Sequence, residues 1–435
     1  MLNRKDRQER GQAILLMAVA LIGMLGFAAV ALDGGNIYAE QRRAQSAADN
    51  AVIAGAYQYM KGITVTSTIS NSALDNAASN DYDNNSTSNW VKFYRPPISG
   101  AYVGNSSYMQ IVITERVPTA LAHLVYQGPF QLTVSAVAYA KKGGPPVDGN
   151  AVVALNPTDC ETVQVNGNGN LNITGGGIFA NSNGTGCSGN NVVVEGSGNG
   201  DIIANPSINI VAPLEDAYSG SVSPTPSTSA PAIETDPLSD LSTPVCDVDY
   251  RGSNPNPASG TLNPGTYNTL DVNNGTLILN PGIYCLTSDS GQAIDMGPSG
   301  VISGTGVIIY LEAGGTQITQ GSMYLKAPST TRNPSCAAIM PWDAPANSVC
   351  HYLGMVLFVG RNNTNDIKLT GKGGWDIEGT IYAPNTEVNL DGQEDWSLTG
   401  QILANNFSME GNGNKTVYYD PSVIFVPPPS ISLMQ

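Results

Sequence analysis

Residues 13–32, AILLMAVALIGMLGFAAVAL, are twenty consecutive uncharged positions. As a helix they span ~30 Å, the thickness of the hydrocarbon core of a bilayer. A segment of this kind limits everything after it, because the remaining chain must fold on one side of a membrane. Arg4, Lys5, Arg7 and Arg10 precede the span and Asp33 follows it. The positive-inside rule therefore puts residues 1–12 in the cytoplasm and the bulk outside. A cleaved secretory signal is the alternative. The length of the apolar run, and a helical register that continues past it, favour a retained single-pass anchor over residues 13–32. Ile37, Ala44, Ala47, Ala48, Ala51, Val52 and Gly55 recur at helical spacing. This stripe of small residues suits close approach, either to a neighbouring chain or to a sheet of the same domain.

The same helix carries a set of residues with a family likeness. Arg10-Gly11 stands before the span, and Asp33-Gly34-Gly35, Tyr38, Arg42 and Gln45-Ser46-Ala47-Ala48-Asp49-Asn50-Ala51 follow it. As a set they resemble the N-terminal signature of the TadE/TadG-like family associated with assembly of Flp (tight adherence) pili. The resemblance covers about fifty residues, with signature positions Gly11, Asp33, Gly34, Gly35, Tyr38, Gln45, Ala47, Ala48 and Asp49. It implies a cell-envelope protein with a pilin-like N-terminal helix, an exported remainder, and partners among pilus-assembly or envelope proteins. Leu16 occupies the place where a type IV prepilin has Glu. The resemblance thus does not extend to prepilin-type cleavage after Gly11 or to the role of a major pilin.

Beyond the helix, residues 61–88 read as a polar connection with a weak helix around Ser72 to Ser79. Tyr108 to Thr114 is β-rich, Thr119 to Tyr126 is predicted as a short helix, and Phe130 to Ala138 alternates as a strand with one buried face. Helix followed by strands predicts a small pilin-like α+β domain over 33–142, closed by the turn Gly143-Gly144-Pro145-Pro146.

The rest is Gly- and Asn-rich, with short β-branched runs, and it repeats. Leu262-Asn263-Pro264-Gly265-Thr266-Tyr267 returns as Leu279-Asn280-Pro281-Gly282-Ile283-Tyr284, and the segment Trp375 to Asn385 returns as Trp396 to Asn406. A period of about twenty residues is one coil of a β-solenoid. Gly and Asn supply the positive-φ corners that tight coils need. The fold class expected is mainly β: a long transmembrane and pilin-like helix with a small α+β domain, then a right-handed parallel β-helix over 150–425. The paired PGxY elements, Gly306 to Tyr310 and the GxIYAPN segment also resemble, more loosely, the exported β-helical region behind TadE/TadG-like anchors. Residues 212–260 are rich in Pro, Ser and Thr, and read as an exposed excursion interrupting one solenoid or as a linker between two β domains. Residues 426–435 read as a frayed tail.

Six cysteines, Cys160, Cys187, Cys246, Cys285, Cys336 and Cys350, lie in a chain expected to leave the cytoplasm, so disulfides are the first reading and a metal site the second. Fifteen pairings are open, and local closure favours Cys160 with Cys187, Cys246 with Cys285 and Cys336 with Cys350. His123 and His351 are the only histidines, too few for a multi-His metal centre. Asp376 with Glu378, or Glu394 with Asp395, has the composition of a glycosidase pair or of Ca²⁺ ligands, yet acidic solenoid corners are usually just solvated. The net charge of −16 argues against nucleic acid. No cofactor is expected. The reading is a non-catalytic, membrane-anchored component of pilus assembly or surface adhesion, with the membrane, envelope proteins, and polysaccharide or a host surface as partners. A β-helix enzyme or module acting on polysaccharide is the alternative.

Overall fold

A computed structural model describes all residues except 1–4, 120, 122–127, 129, 148, 190, 235, 255, 320, 340, 372–374 and 435. The chain is mainly β behind a long apolar helix. It divides into two units, residues 1–143 with 429–435, and residues 144–428.

In the first unit, α1 (Lys5–Met60) continues the apolar span without a break. Its first part bares its side chains, Phe27 being 82% exposed, and it is the one described helix long and apolar enough to cross a membrane. Burial begins at the Ala-rich stripe. Ala44, Ala47, Ala48, Ala51, Val52 and Ala56 pack against Ile69, Ala73 and Ala77 of α2 (Thr66–Ser79) and against the sheet residues Ile111, Ile113, Val134 and Ala136. A Cβ on Gly55 would lie 3.2 Å from that of Ala73 and 3.3 Å from the Phe93 ring, so only small residues permit this approach. Of the two readings of the stripe, its own domain covers it. The helix expected near Ser72 to Ser79 starts earlier, because Ile69, Ala73 and Ala77 recur every four residues and face α1. The helix expected over Thr119 to Tyr126 falls largely outside the described residues.

The sheet contains β1 (Asn89–Tyr94), β2 (Tyr108–Val117) and β3 (Phe130–Lys141), antiparallel in that order. Its fourth strand corrects the expectation of a frayed end: Ser430–Met434 pairs antiparallel with β3, Ser430 opposite Lys141 and Met434 opposite Val137. The segment alternates polar and apolar residues, Ile431 packs toward the core, and β3 would otherwise present an open edge.

In the second unit the described pairings between named strands are parallel, and many join segments about twenty to thirty residues apart. Asn150–Ala154 pairs with Gly177–Ala180, Val163–Gly167 with Val194–Gly198, and Leu171–Thr174 with Ile202–Asn205. The repeats found in the sequence lie in register on each other: Ile377 opposite Leu398, Tyr382 opposite Leu403, and Trp375 5.4 Å from Trp396 ring to ring. Tyr267 and Tyr284 of the paired PGxY elements stack 6.3 Å apart, and each hydroxyl donates to the carbonyl four residues back, Asn263 and Asn280, at 2.8 Å. Val, Ile and Leu from successive rungs form one continuous core.

The order of rungs does not follow the chain. The last strands meet the first: Ile402–Ala404 pairs with Val152–Ala154, Phe407–Gly411 with Val163–Gly167, and Lys415–Tyr418 with Leu171–Thr174. The strands before residue 224 therefore stack away from this seam on one side, and those after residue 259 approach it from the other. Residues 224–259 join the two far ends. Ser227 bridges Asn209 at one end, and Asp249 bridges Thr266 at the other. Between them Leu238 is 1% exposed and packs with Tyr310, Phe358 and Tyr382 on the outside of the sheet. This segment is a packed strap rather than an exposed excursion or a linker, because the far ends of one stack have to be joined along its side.

Candidate functional site

Asp33, Gln45, Ala47, Ala48 and Asp49 of the signature have structural contacts. Asp33 is buried at the end of the apolar span and accepts the Leu121 backbone N–H at 3.1 Å. Gln45 donates from Nε2 to Asp49 Oδ1 at 2.8 Å and to the Ser135 carbonyl of β3 at 3.2 Å. Ala47 and Ala48 are buried between helix and sheet. These groups fix the helix on its sheet by a polar clasp flanked by close packing. Tyr38 is exposed, and Gly34 and Gly35 have open space about them. Gly11 lies within α1. Arg43 adds an ion pair to Asp81 that no sequence motif announces.

The six cysteines lie in bonded pairs: Cys160 with Cys187, Cys246 with Cys285 and Cys336 with Cys350. Cys246–Cys285 ties the strap to a sheet strand, and Cys336–Cys350 closes a loop whose Ala346 carbonyl accepts the Tyr352 hydroxyl at 3.1 Å. The strap has a second clamp that the sequence did not disclose, Arg361. Its guanidinium donates to the Leu241 carbonyl at 2.9 Å and the Tyr382 hydroxyl at 3.1 Å, and Tyr382 in turn donates to Asp236 of the strap. Burial, followed by the charge of Asp236, holds the Tyr382 phenol far above its ordinary range, so it remains a donor.

Lys326 Nζ lies 3.3 Å from Asp376 and 3.8 Å from Glu378, and Arg332 pairs with Glu378. Asp395 Oδ1 caps the Asn414 N–H at 2.6 Å, the first step of a ladder that runs on from Asn414 to the Asn170 N–H at 2.9 Å and from Asn170 to the Asp201 N–H at 3.0 Å, across the seam. Beside it Lys415 is fully buried. Its ammonium donates to the carbonyls of Gly392, Glu394 and Gly413 at 3.2, 2.9 and 3.0 Å. Burial lowers its pKa against the opposing pull of Asp395, Asp391 and Glu394. At this corner the ammonium thus meets backbone carbonyls, that of Glu394 among them. Among the described residues no group of three His, Cys, Asp or Glu is placed to hold a metal.

These features define a class: a chain with, among the described residues, one helix long and apolar enough to span a membrane, continuous with a small antiparallel α+β unit and followed by a disulfide-stapled parallel β unit. Residues 11–58 match the family model described as putative Flp pilus-assembly TadE/G-like, so the N-terminal region is similar to that family. Residues 354–424 match a domain of unknown function, DUF7305. No curated protein and no solved structure matches the chain.

Proposed function

We propose that this protein is a non-catalytic structural component of pilus assembly or surface adhesion. In this reading α1 holds it in the membrane with the N-terminus cytoplasmic, and residues 144–428 form a parallel β-helix presented outside the cell. The family match of residues 11–58, on a helix clasped to its sheet by the signature Gln45 and Asp49, carries the assembly role. The rung-on-rung parallel pairing and the continuous apolar core support the β-helix. The basic flank before the span supports the orientation, and disulfides are at home in the oxidising space beyond the membrane. The cations bonded to Asp376 and Glu378 favour a structural over a hydrolytic role for those acids.

The two chain crossings between units suggest the test. The Gly143 Cβ position lies 3.1 Å from Pro429 Cδ, so residues 144–428 can be removed and Gly143 joined to Pro429 through a short Gly-Ser bridge without losing the strand Ser430–Met434. Cells carrying this variant should retain it in the membrane fraction and lose pilus assembly or adhesion. The parent should be cut by external protease beyond residue 33. Normal pili on cells with the shortened chain, or protection of the parent from external protease, would refute the reading.

A further inference from the structure

The chain is strongly acidic, but unevenly so. Residues 144–428 carry 7 Lys and Arg against 26 Asp and Glu, whereas residues 1–143 carry 12 against 9. In the first unit, cations and aromatics meet on the face of the sheet turned away from α1. Trp90 stands opposite Thr114, Lys92 opposite Val112, and Arg116 opposite Gln131. With Tyr94 they line a groove of about 440 Å³. The groove is built rather than incidental. Gln110, 1% exposed on the same face, accepts the Ile98 N–H at 3.1 Å and donates to Ser99 Oγ at 2.8 Å, fixing the loop after β1 as a wall. Arg116 sits 4.8 Å from the Trp90 ring centre and is held by the Thr87 carbonyl at 3.2 Å.

Among the described residues no carboxylate pairs with these cations, Lys92 and Arg116. The acid nearest in sequence, Glu115, accepts a bond from Tyr82 at 3.1 Å. Two exposed cations beside a half-buried indole, with a threonine hydroxyl and the Gln131 amide in reach, match a pyranose that carries an acid group. The ring's C–H face packs on the aromatic, its hydroxyls meet the polar side chains, and its carboxylate or phosphate meets the cations. The volume is that of a small-ligand site.

We propose that this groove binds a segment of acidic glycan, one bearing uronate or phosphate groups, with Trp90 as the stacking platform and Lys92 and Arg116 as the anion contacts. The site belongs to the first unit, and the proposal does not depend on the role given to residues 144–428. Full-length protein in a neutral detergent would be titrated with trigalacturonate, a glycerol-phosphate oligomer and neutral maltotriose. One acidic probe should bind at least about tenfold more tightly than maltotriose and weaken with rising salt. The double variant K92Q/R116Q, whose positions are exposed and so should leave the fold intact, should bind it about tenfold or more weakly, W90A should lose it, and K61Q should not differ from the parent. The proposal is overturned if both acidic probes fail to bind below about 1 mM, if maltotriose binds equally well, or if K92Q/R116Q binds like the parent. It is also overturned if the parent binds neither acidic probe but forms a salt-sensitive dimer that K92Q/R116Q abolishes; the face would then serve self-association.

Discussion

Replacing Lys415 by Met tests how the two ends of the β unit are locked together. The ammonium is fully buried at the strand that pairs with Leu171–Thr174, and it satisfies three corner carbonyls. Methionine keeps most of the volume but leaves Gly392, Glu394 and Gly413 without this donor. Each buried carbonyl so stranded costs ~1–3 kcal/mol. Against this, removing a buried charge returns several kcal/mol of desolvation. The sum favours a net loss of about 2–4 kcal/mol, a large share of a stability of ~5–15 kcal/mol. Urea unfolding with disulfides intact, followed by tryptophan fluorescence, to which Trp375 and Trp396 of this unit contribute, should show the midpoint falling without a change in slope.

The pH dependence adds a second readout. The folded-state pKa of Lys415 lies below its ordinary value. Between the two, the unfolded chain binds more protons, so the stability of the parent should rise with pH through that window. The methionine variant should lack this increment. A variant equal to or more stable than the parent at pH 7 would show that relief of charge burial outweighs the lost carbonyl contacts, and the lock would be no lock.

Leu238→Ala together with Leu241→Ala should cost about 3–6 kcal/mol and open residues 224–245 to protease, because both side chains cover Tyr310, Phe358 and Tyr382; an unchanged cleavage pattern would contradict the packed strap. Deleting Ser430–Met434 should speed hydrogen exchange at the amides of β3 near Val137 to Lys141 while leaving β1 little changed. Equal protection with and without the segment would exclude the fourth strand. Mass mapping under non-reducing conditions should recover Cys160–Cys187, Cys246–Cys285 and Cys336–Cys350, and free thiols in protein taken from outside the membrane would refute them. Gly198→Ala should fail to fold or lose several kcal/mol, since its φ is +94° and a Cβ would collide with the Gly167 carbonyl of the adjacent rung; a stable Ala variant would mean the rungs are not stacked this closely.

Local pattern by itself determined a good deal of this molecule. An uninterrupted apolar run announces the long apolar helix at Ala13 to Leu32, and the signature from Gly11 to Ala51 announces the family likeness of the N-terminal region, because both are properties of neighbouring residues. Repetition placed Trp375 to Asn385 and Trp396 to Asn406 as equivalent rungs, and the same logic made Tyr267 and Tyr284 partners. Tertiary structure alone decided how the ends are joined. Nothing near Leu171 indicates that it pairs with Lys415, and nothing near Lys141 indicates Ser430, because a strand edge is satisfied by whichever complementary edge the fold delivers, however distant in the chain. For the same reason the strap looked like solvent-exposed chain: its Pro, Ser and Thr forbid a core of its own, while Leu238 and Leu241 are buried by an aromatic wall supplied from residues 310–382. Lys415 reads as a surface charge in any local window, and becomes an internal cation only when three corner carbonyls converge on it.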